Sequence, residues 1–395
     1  MIDISKKSWR KYFLFSSLYF SEGIELAVIT VLIPIYFAEL GISLPITTFI
    51  IAIAALPWVL KFIWGGIVDH FIGFGRKRFI IVGGILGAFG LLLLAFVDPT
   101  IALLPFAFLM FISHIGIAFL DVSSDAWAIE ISQEKERGKI NGAMFAGQFT
   151  GLAVGSTLLA ILANIFGYNV AFIIAGLIII LIIIYPLCVK YKIISKKQQK
   201  VGSLLVREFK KITTQLIALF APIADINIGL LIIVPLYLDI SLNLDIAQIG
   251  LITGIYTVMM AVGALIGGAI ADKFSRKTAL YVFIGASIFF IALLIFGISW
   301  QIFTFLYAIV GFLYGGFNAA GCTMCMDITN PKIGATQFSL LTSLFNLGDI
   351  VGTMVAGSLV VMLGFGRVFL YTALSLGPAL LILYFIRIEK KDITP

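Results

Sequence analysis

The sequence predicts an all-α integral membrane protein, with twelve transmembrane helices in two six-helix, pseudo-symmetric bundles. Three observations carry that prediction. The chain of 395 residues is 61% hydrophobic and only 12% charged, whereas soluble domains are about half apolar and about a quarter charged. Its basic residues fall in alternate connections between apolar runs. A glycine–aspartate–basic pattern occurs once in each half. This composition excludes a soluble enzyme, a nucleic-acid-binding protein and a disordered scaffold. The mean hydropathy of +1.12 agrees.

A bilayer core of roughly 30 Å takes about 20 apolar residues per helix. Runs near 12–39, 46–68, 79–97, 101–129, 141–163 and 168–189 give spans 1 to 6. Runs near 215–238, 247–271, 279–299, 302–327, 336–363 and 368–386 give spans 7 to 12. The first run is too long for a signal peptide and has no small-residue cleavage site, so it reads as a span. Spans 3, 6, 9 and 12 hold no charged side chain in their interiors and are free to face lipid. Span 1 carries Glu22 and Glu25, span 2 Lys61, and span 4 His114, Asp121 and Asp125. Span 7 carries Asp225 and span 11 Asp349. Ionisable groups at membrane depth must face a cavity or a partner, so these spans should surround a polar interior.

Connections on the cytoplasmic side accumulate lysine and arginine. An N-terminus in the cytoplasm places 25 of the 27 basic residues there. They include Lys6, Lys7, Arg10 and Lys11, then Arg76, Lys77 and Arg78, then Lys135, Arg137 and Lys139. Segment 190–214 adds Lys190, Lys192, Lys196, Lys197, Lys200, Arg207, Lys210 and Lys211. Lys273, Arg276, Lys277, Lys332, Arg387, Lys390 and Lys391 complete the set. Only Arg367 falls outside, and Lys61 lies within a span. The net charge of +7 therefore reports topology, not a nucleic-acid partner. The expected location is a prokaryotic cell membrane, multi-pass, with both termini cytoplasmic.

Segment 191–214 is the longest polar stretch. It is expected to be a basic cytoplasmic linker between an N-terminal six-helix bundle, 1–190, and a C-terminal one, 215–395. After its second span each half carries the same signature, Gly65-x-x-x-Asp69 and Gly268-x-x-x-Asp272, with the aspartates 203 residues apart. Basic pairs follow, Arg76-Lys77 and Arg276-Lys277. A second echo ends the fourth span of each half, at Glu130 and Asp327. Two six-helix repeats about an axis normal to the membrane are a transporter architecture. Cys322 and Cys325 form a lone CxxC without a second pair or a histidine cluster, so they read as small apolar residues. No cofactor or metal is expected. No phosphate-binding loop of the Walker type occurs, so ATP is not expected to drive the protein directly.

At these residues the chain resembles the major facilitator superfamily, whose loop signature is glycine, three residues, aspartate, basic, any, glycine and two basic residues. The second copy matches through Lys273, Arg276 and Lys277, with Ser275 in place of the later glycine. The first has a three-residue insertion before Gly75-Arg76-Lys77. Finer features are similar to the muropeptide permease (AmpG-type) and acetyl-CoA transporter group: Leu60-Lys61-Phe62-Ile63-Trp64, the lengthened first loop, and Asp121-x-x-x-Asp125-Ala126-Trp127 followed by Glu136-Arg137-Gly138. Leu120 stands where that group has glutamine, and Ala128 where it often has a basic residue. The resemblance implies the major facilitator fold, with spans 1, 4, 7 and 10 lining a central cavity. It also implies gating aspartates, Asp69 and Asp272, each capping a neighbouring helix and pairing with loop arginines.

The charged residues allow more than one reading. Glu22 and Glu25 share a helix face, roughly 15 Å along span 1. Two close carboxylates repel, which poises one to bind and release a proton. Alternatively, one is locked in an ion pair with Lys61. Lys61 lies roughly 12 Å from the span end at Asp69, at a depth near Glu22 and Asp121, and a buried ammonium needs a partner. It is expected to neutralise those carboxylates or to hold an anionic substrate group. His114, Asp121 and Asp125 form one stripe of span 4. That stripe reads as a proton path, or else His114 is a hydrogen-bonded packing residue and Asp125 pairs with the loop near Arg76. Asp225, Asn227, Asn318, Asn346 and Asp349 are expected substrate contacts. Gln148, Trp58, Trp64 and Tyr256 read first as packing or interface residues. Gly65, Asp69, Arg76, Lys77, Asp125, Glu130, Gly268, Asp272, Arg276, Lys277 and Asp327 are the expected gate, against the simpler reading of a static loop staple. Gly147, Gly151 and Gly155 make a small-residue face of span 5, expected to pack on span 8 at Gly254 and Gly263.

The expected function is secondary active transport by alternating access, not enzymatic catalysis. A proton-coupled symporter of a small anionic or acylated, muropeptide-like metabolite is favoured, with Glu22, Glu25, Asp121 or His114 carrying the proton. The alternatives are a proton-driven exporter of amphiphiles, a lipid flippase, or a non-transporting receptor on the same fold. The expected partners are small-molecule substrate, protons and lipid, and the chain is expected to be a monomer.

Overall fold

A computed structural model describes residues 8–42, 46, 50–51, 53–190, 200–244, 246–296 and 299–387. Seven lysines of the expected cytoplasmic set lie outside the described residues: Lys6, Lys7, Lys192, Lys196, Lys197, Lys390 and Lys391. So does part of the linker, 191–199.

Among the described residues 11 helices are long and apolar enough to cross a membrane. They are Ser8–Phe37 for span 1, Arg76–Leu94, Leu103–Ile131, Glu134–Phe166 and Tyr168–Cys188 for spans 3 to 6, and Ile212–Leu230 for span 7. Leu251–Lys273, Arg276–Phe296, Trp300–Ile328, Pro331–Gly357 and Phe365–Phe385 supply spans 8 to 12. Span 2 is the exception: residues 47–49 and 52 of it lie outside the described residues, and its described part is a broken helix. Leu56–Val59 and Lys61–His70 are separate helices, and between them Leu60 leaves helical geometry at φ −94° and ψ 14°. Pro57 lies in the first turn of the first piece, and the Trp64 indole donates to its carbonyl at 3.0 Å across the break. The irregular backbone thus falls beside Lys61, where it is tolerable only against protein or a cavity.

Spans 1 and 5 each contain a wide π-type turn, at Val28–Leu32 and Gly155–Leu159, and the two turns pack together. Span 5 lies on span 1 through backbone close approach. A Cβ on Gly147 would meet the Ser16 carbonyl at 2.1 Å, and one on Gly151 the Phe20 carbonyl at 2.2 Å. The small-residue face therefore packs on span 1, not on span 8 as the sequence suggested. Span 8 meets span 5 elsewhere, where Gly138 and Gly142 face Gly268 and Ala264. Gly263 packs on the Phe312 carbonyl of span 10.

Phe89, Leu181, Phe289 and Leu381, on spans 3, 6, 9 and 12, are all more than half exposed. These four spans present the apolar surface that a bilayer would cover. The first and second groups of six meet chiefly through span 5 on span 8 and span 2 on span 11. The linker contains a helix, Val201–Phe209. Its buried Glu208 accepts from Asn330 Nδ2 at 3.1 Å, beside span 11.

Candidate functional site

The basic end of the molecule is closed by two pseudo-symmetric clusters. In the first, Asp69 at the end of span 2 receives the first amides of the span 11 helix. Ala335 N donates to its Oδ1 at 3.2 Å, and Thr336 N and Oγ1 donate to its Oδ2 at 2.7 Å each. Arg76 Nη1 lies 2.6 Å from Asp69, and its Nε donates to Glu130 at 3.0 Å. In the second, Asp272 at the end of span 8 receives Gly138 N and Lys139 N, at 2.8 Å each, from the start of span 5. Arg276 Nη2 lies 3.4 Å from Asp272, and its Nε donates to Asp327 at 2.8 Å. Each aspartate thus caps a helix of the opposite six-span group. A carboxylate there meets both orphan amides and the positive end of the helix dipole.

The lysines repeat the symmetry. Lys77 donates to the carbonyls of Leu187 and Val189 at the end of span 6, at 2.9 and 2.8 Å. Lys277 does the same to Tyr384 and Ile386 at the end of span 12, at 2.6 and 3.0 Å. Arg137 joins span 5 to span 10 through Asp327 at 2.9 Å. The local backbone of the two copies differs. Gly75 has φ 81°, a conformation open to glycine. Ser275 is extended, and its Oγ accepts from Thr278 N at 3.0 Å as a helix cap. The serine therefore replaces the glycine with a different start to the helix.

Above this closure lies a cavity of about 400 Å³. It reaches toward the opposite end at Ile51 and the exposed Thr30. Spans 1, 4, 7 and 10 contribute, and so do spans 2, 5 and 11. Lys61 and Asp121 form an ion pair at 3.1 Å, with side chains only 8% and 3% exposed. Lys61 Nζ is 5.9 Å from the centre of the Trp58 ring, within cation–π range. The lysine–glutamate pair that the sequence left open as the alternative is not formed among the described residues. Glu22 instead accepts from Gln148 Nε2 at 3.3 Å, and its other oxygen is buried without a hydrogen-bond partner among the described residues. Asp125 is not part of the basic-end cluster: Tyr19 donates to it at 2.5 Å within the cavity. Its expected pairing near Arg76 fails because Asp69 and Glu130 already hold that guanidinium.

His114 lines the cavity and contacts Glu25 through Nδ1. Glu25 is fully buried, accepts from Ser113 at 3.4 Å, and does not line the cavity. Across the cavity, spans 7, 10 and 11 supply Asp225, Asn318, Asn346 and Asp349. Asn227 is buried on span 7 but is not a lining residue. Tyr19, Tyr314 and Thr342 line the cavity without having been singled out in the sequence. Each is three or four residues from an expected residue on its own helix, so extending the charged face by one turn finds them. Gln148 and Trp58 line it too, whereas Trp64 serves the span 2 break and Tyr256 stacks on Tyr307 at 4.2 Å.

Known proteins share both sequence and architecture with this chain. AmpG 4 of Rickettsia conorii is 26% identical over 394 residues, covering 92% of this chain and 94% of its own. The anhydromuropeptide permease of Escherichia coli is 25% identical over 379 residues, covering 92% and 77%. Among solved structures, the E. coli fucose:proton symporter FucP has a TM-score of 0.79 at 13% identity, covering 95% of this chain and 98% of that one. The human organic anion transporter MFSD10 has a TM-score of 0.76 at 14% identity, covering 95% and 99%. At such identities the structures speak for the fold alone. The Major Facilitator Superfamily model matches residues 15–223 and 215–395. With the doubled aspartate–arginine cluster and the membrane-spanning fold, that match settles the family: the chain belongs to the Major Facilitator Superfamily.

Proposed function

We propose that this transporter is a proton-coupled symporter of a small anionic or acylated metabolite, of the muropeptide class for which its E. coli relative is named. The observation that carries the reading is the Lys61–Asp121 pair inside the cavity. An anionic substrate group that engages Lys61 takes the counter-ion from Asp121. A buried carboxylate left without a cation binds a proton. Substrate and proton therefore load together, and release of one favours release of the other. Glu22, with a buried oxygen that has no hydrogen-bond partner among the described residues, and the His114–Glu25 contact provide further proton sites beside it.

The basic end is read as cytoplasmic, from the positive-inside rule, with both termini on that side of a prokaryotic plasma membrane. The arrangement is then closed toward the cytoplasm and reached from outside. The two bodies that rock are 1–190 and 215–395, joined by the basic linker, and the gate is the pair of capped aspartates with their arginines. A single chain holds the whole pathway, so a monomer suffices.

The test is substrate-dependent proton flux into liposomes carrying a pH dye. Anhydromuropeptides, acyl-CoA esters, sugars, nucleosides and amphiphilic drugs are added singly. Luminal acidification with one anionic ligand, absent in Asp121→Asn and Lys61→Ala, is expected. Tracer uptake of that ligand without proton movement would reject coupling. Outward movement of amphiphiles alone would favour an exporter.

A further inference from the structure

The cavity is unevenly charged. Among the described residues five carboxyl side chains line it, from Glu22, Asp121, Asp125, Asp225 and Asp349, against one lysine. On the side of spans 1, 4 and 5 the carboxyls face a cation: Lys61 pairs with Asp121, while Asp125 and Glu22 each accept one hydrogen bond, from Tyr19 and Gln148, and each keep one buried oxygen without a partner among the described residues. On the side of spans 7, 10 and 11 no lysine, arginine or histidine lines the cavity among the described residues.

Asp225 is 5% exposed, and its Oδ1 has no hydrogen-bond partner among the described residues. A buried carboxylate oxygen with no donor is costly unless something completes it. Asp349 is brought beside it by backbone contact between spans 7 and 11. A Cβ on Gly348 would meet the Pro222 carbonyl at 2.1 Å, and one on Gly352 the Ile226 carbonyl at 2.2 Å. These close approaches bracket both aspartates. Each acid feels the other's field, and Tyr314 lies within hydrogen-bonding reach of Asp225. The rings of Tyr314 and Phe345 also line this side. Adjacent carboxylates framed by aromatic faces suit an organic cation.

We infer that Asp225 and Asp349 form a second subsite that takes an ammonium or guanidinium group of the substrate, opposite the anion contact at Lys61. The inference rests on the symport reading above and narrows its substrate class to dipolar molecules, anionic at one end and cationic at the other. Engaging both subsites joins the two six-span groups through the ligand. A ligand lacking either charge bridges them less well.

The test compares tracer uptake of an anhydromuropeptide bearing a free peptide amine with uptake of the same compound N-acetylated at that amine. The native protein is expected to favour the free amine by about tenfold, as a lost charged contact implies. Asp225→Asn and Asp349→Asn are each expected to erase that preference, with a monodisperse size-exclusion profile and a native-like melting temperature in detergent showing that each variant folds. Asp225→Glu is expected to restore the preference. Equal native uptake of the two forms, or a preference unchanged in both asparagine variants, overturns the subsite and leaves the symport reading standing. Loss of both forms in monodisperse variants assigns the acids to coupling and overturns it too. Native uptake of neither form overturns the muropeptide reading, and this inference falls with it.

Discussion

Lys61 and Asp121 pair at 3.1 Å across the gap between spans 2 and 4, and the lysine sits on the first residue after a break in its helix. The break frees the lysine from the register of a continuous span. The pair is desolvated but borders the cavity, so it is stable alone and accessible to a ligand.

That relationship predicts an asymmetry in stability. Removing one member of a buried pair strands the other charge and costs about 3 kcal/mol, whereas removing both costs less. Lys61→Met and Asp121→Asn should each lower the melting temperature in detergent. The double variant should recover much of the loss while remaining inactive in transport. Additive losses in the double variant would show that the two side chains do not depend on each other.

Tyr19 makes a related prediction. Its hydroxyl is the donor to Asp125 Oδ1, and Asp125 Oδ2 is buried without a hydrogen-bond partner among the described residues. Tyr19→Phe keeps the ring and removes the donor, at a cost of about 1–3 kcal/mol. Tyr19→Phe with Asp125→Leu should be more stable than Tyr19→Phe alone. Thermal melts of the two variants decide it, and a less stable double variant would sink the assignment.

Much of this was legible in the sequence, because membrane depth leaves few choices. Apolar run length set the spans, and alternating basic clusters set their order. The repeated Gly65–Asp69 and Gly268–Asp272 signatures marked where the basic end closes. The partners inside were not legible. Lys61 lies at a depth near both Glu22 and Asp121, and nothing in the chain says which carboxylate faces it. The packing of span 2 against span 4 settles it, with Lys61 on Asp121. The span 5 glycines announced a close approach but not its partner, since span 1 and span 8 both run beside span 5. Tyr19 and Tyr314 were missed because an aromatic ring in a span usually reads as packing.

Adjacent glycines in the first signature separate a close approach from mere smallness. A Cβ on Gly65 would stand 2.5 Å from the Ala335 carbonyl of span 11, while one on Gly66 would meet nothing within 4 Å. Gly65→Ala should therefore cost about 1–3 kcal/mol, and Gly66→Ala should be close to neutral. The Gly65 loss should concentrate in the closed arrangement, so transport should fall more than expression does. Equal effects of the two substitutions would show that spans 2 and 11 are not this close.

The capped aspartates decide between a moving gate and a static staple. Asp272→Asn keeps one acceptor but turns a nitrogen toward a backbone amide and removes the charge facing the helix dipole. A penalty of about 1.4 kcal/mol on the closed arrangement raises the open population about tenfold. Asp69→Asn should act more strongly, because three donors converge on that carboxylate and Arg76 pairs with it. Spin labels at Phe74→Cys and Lys332→Cys report the separation. Both sites are exposed, one after span 2 and the other before span 11. The three native cysteines, Cys188, Cys322 and Cys325, would first be replaced. A longer-distance population should appear in Asp272→Asn and grow in Asp69→Asn. Unchanged distances with a lowered melting temperature would mean that the clusters hold loops in place and take no part in opening.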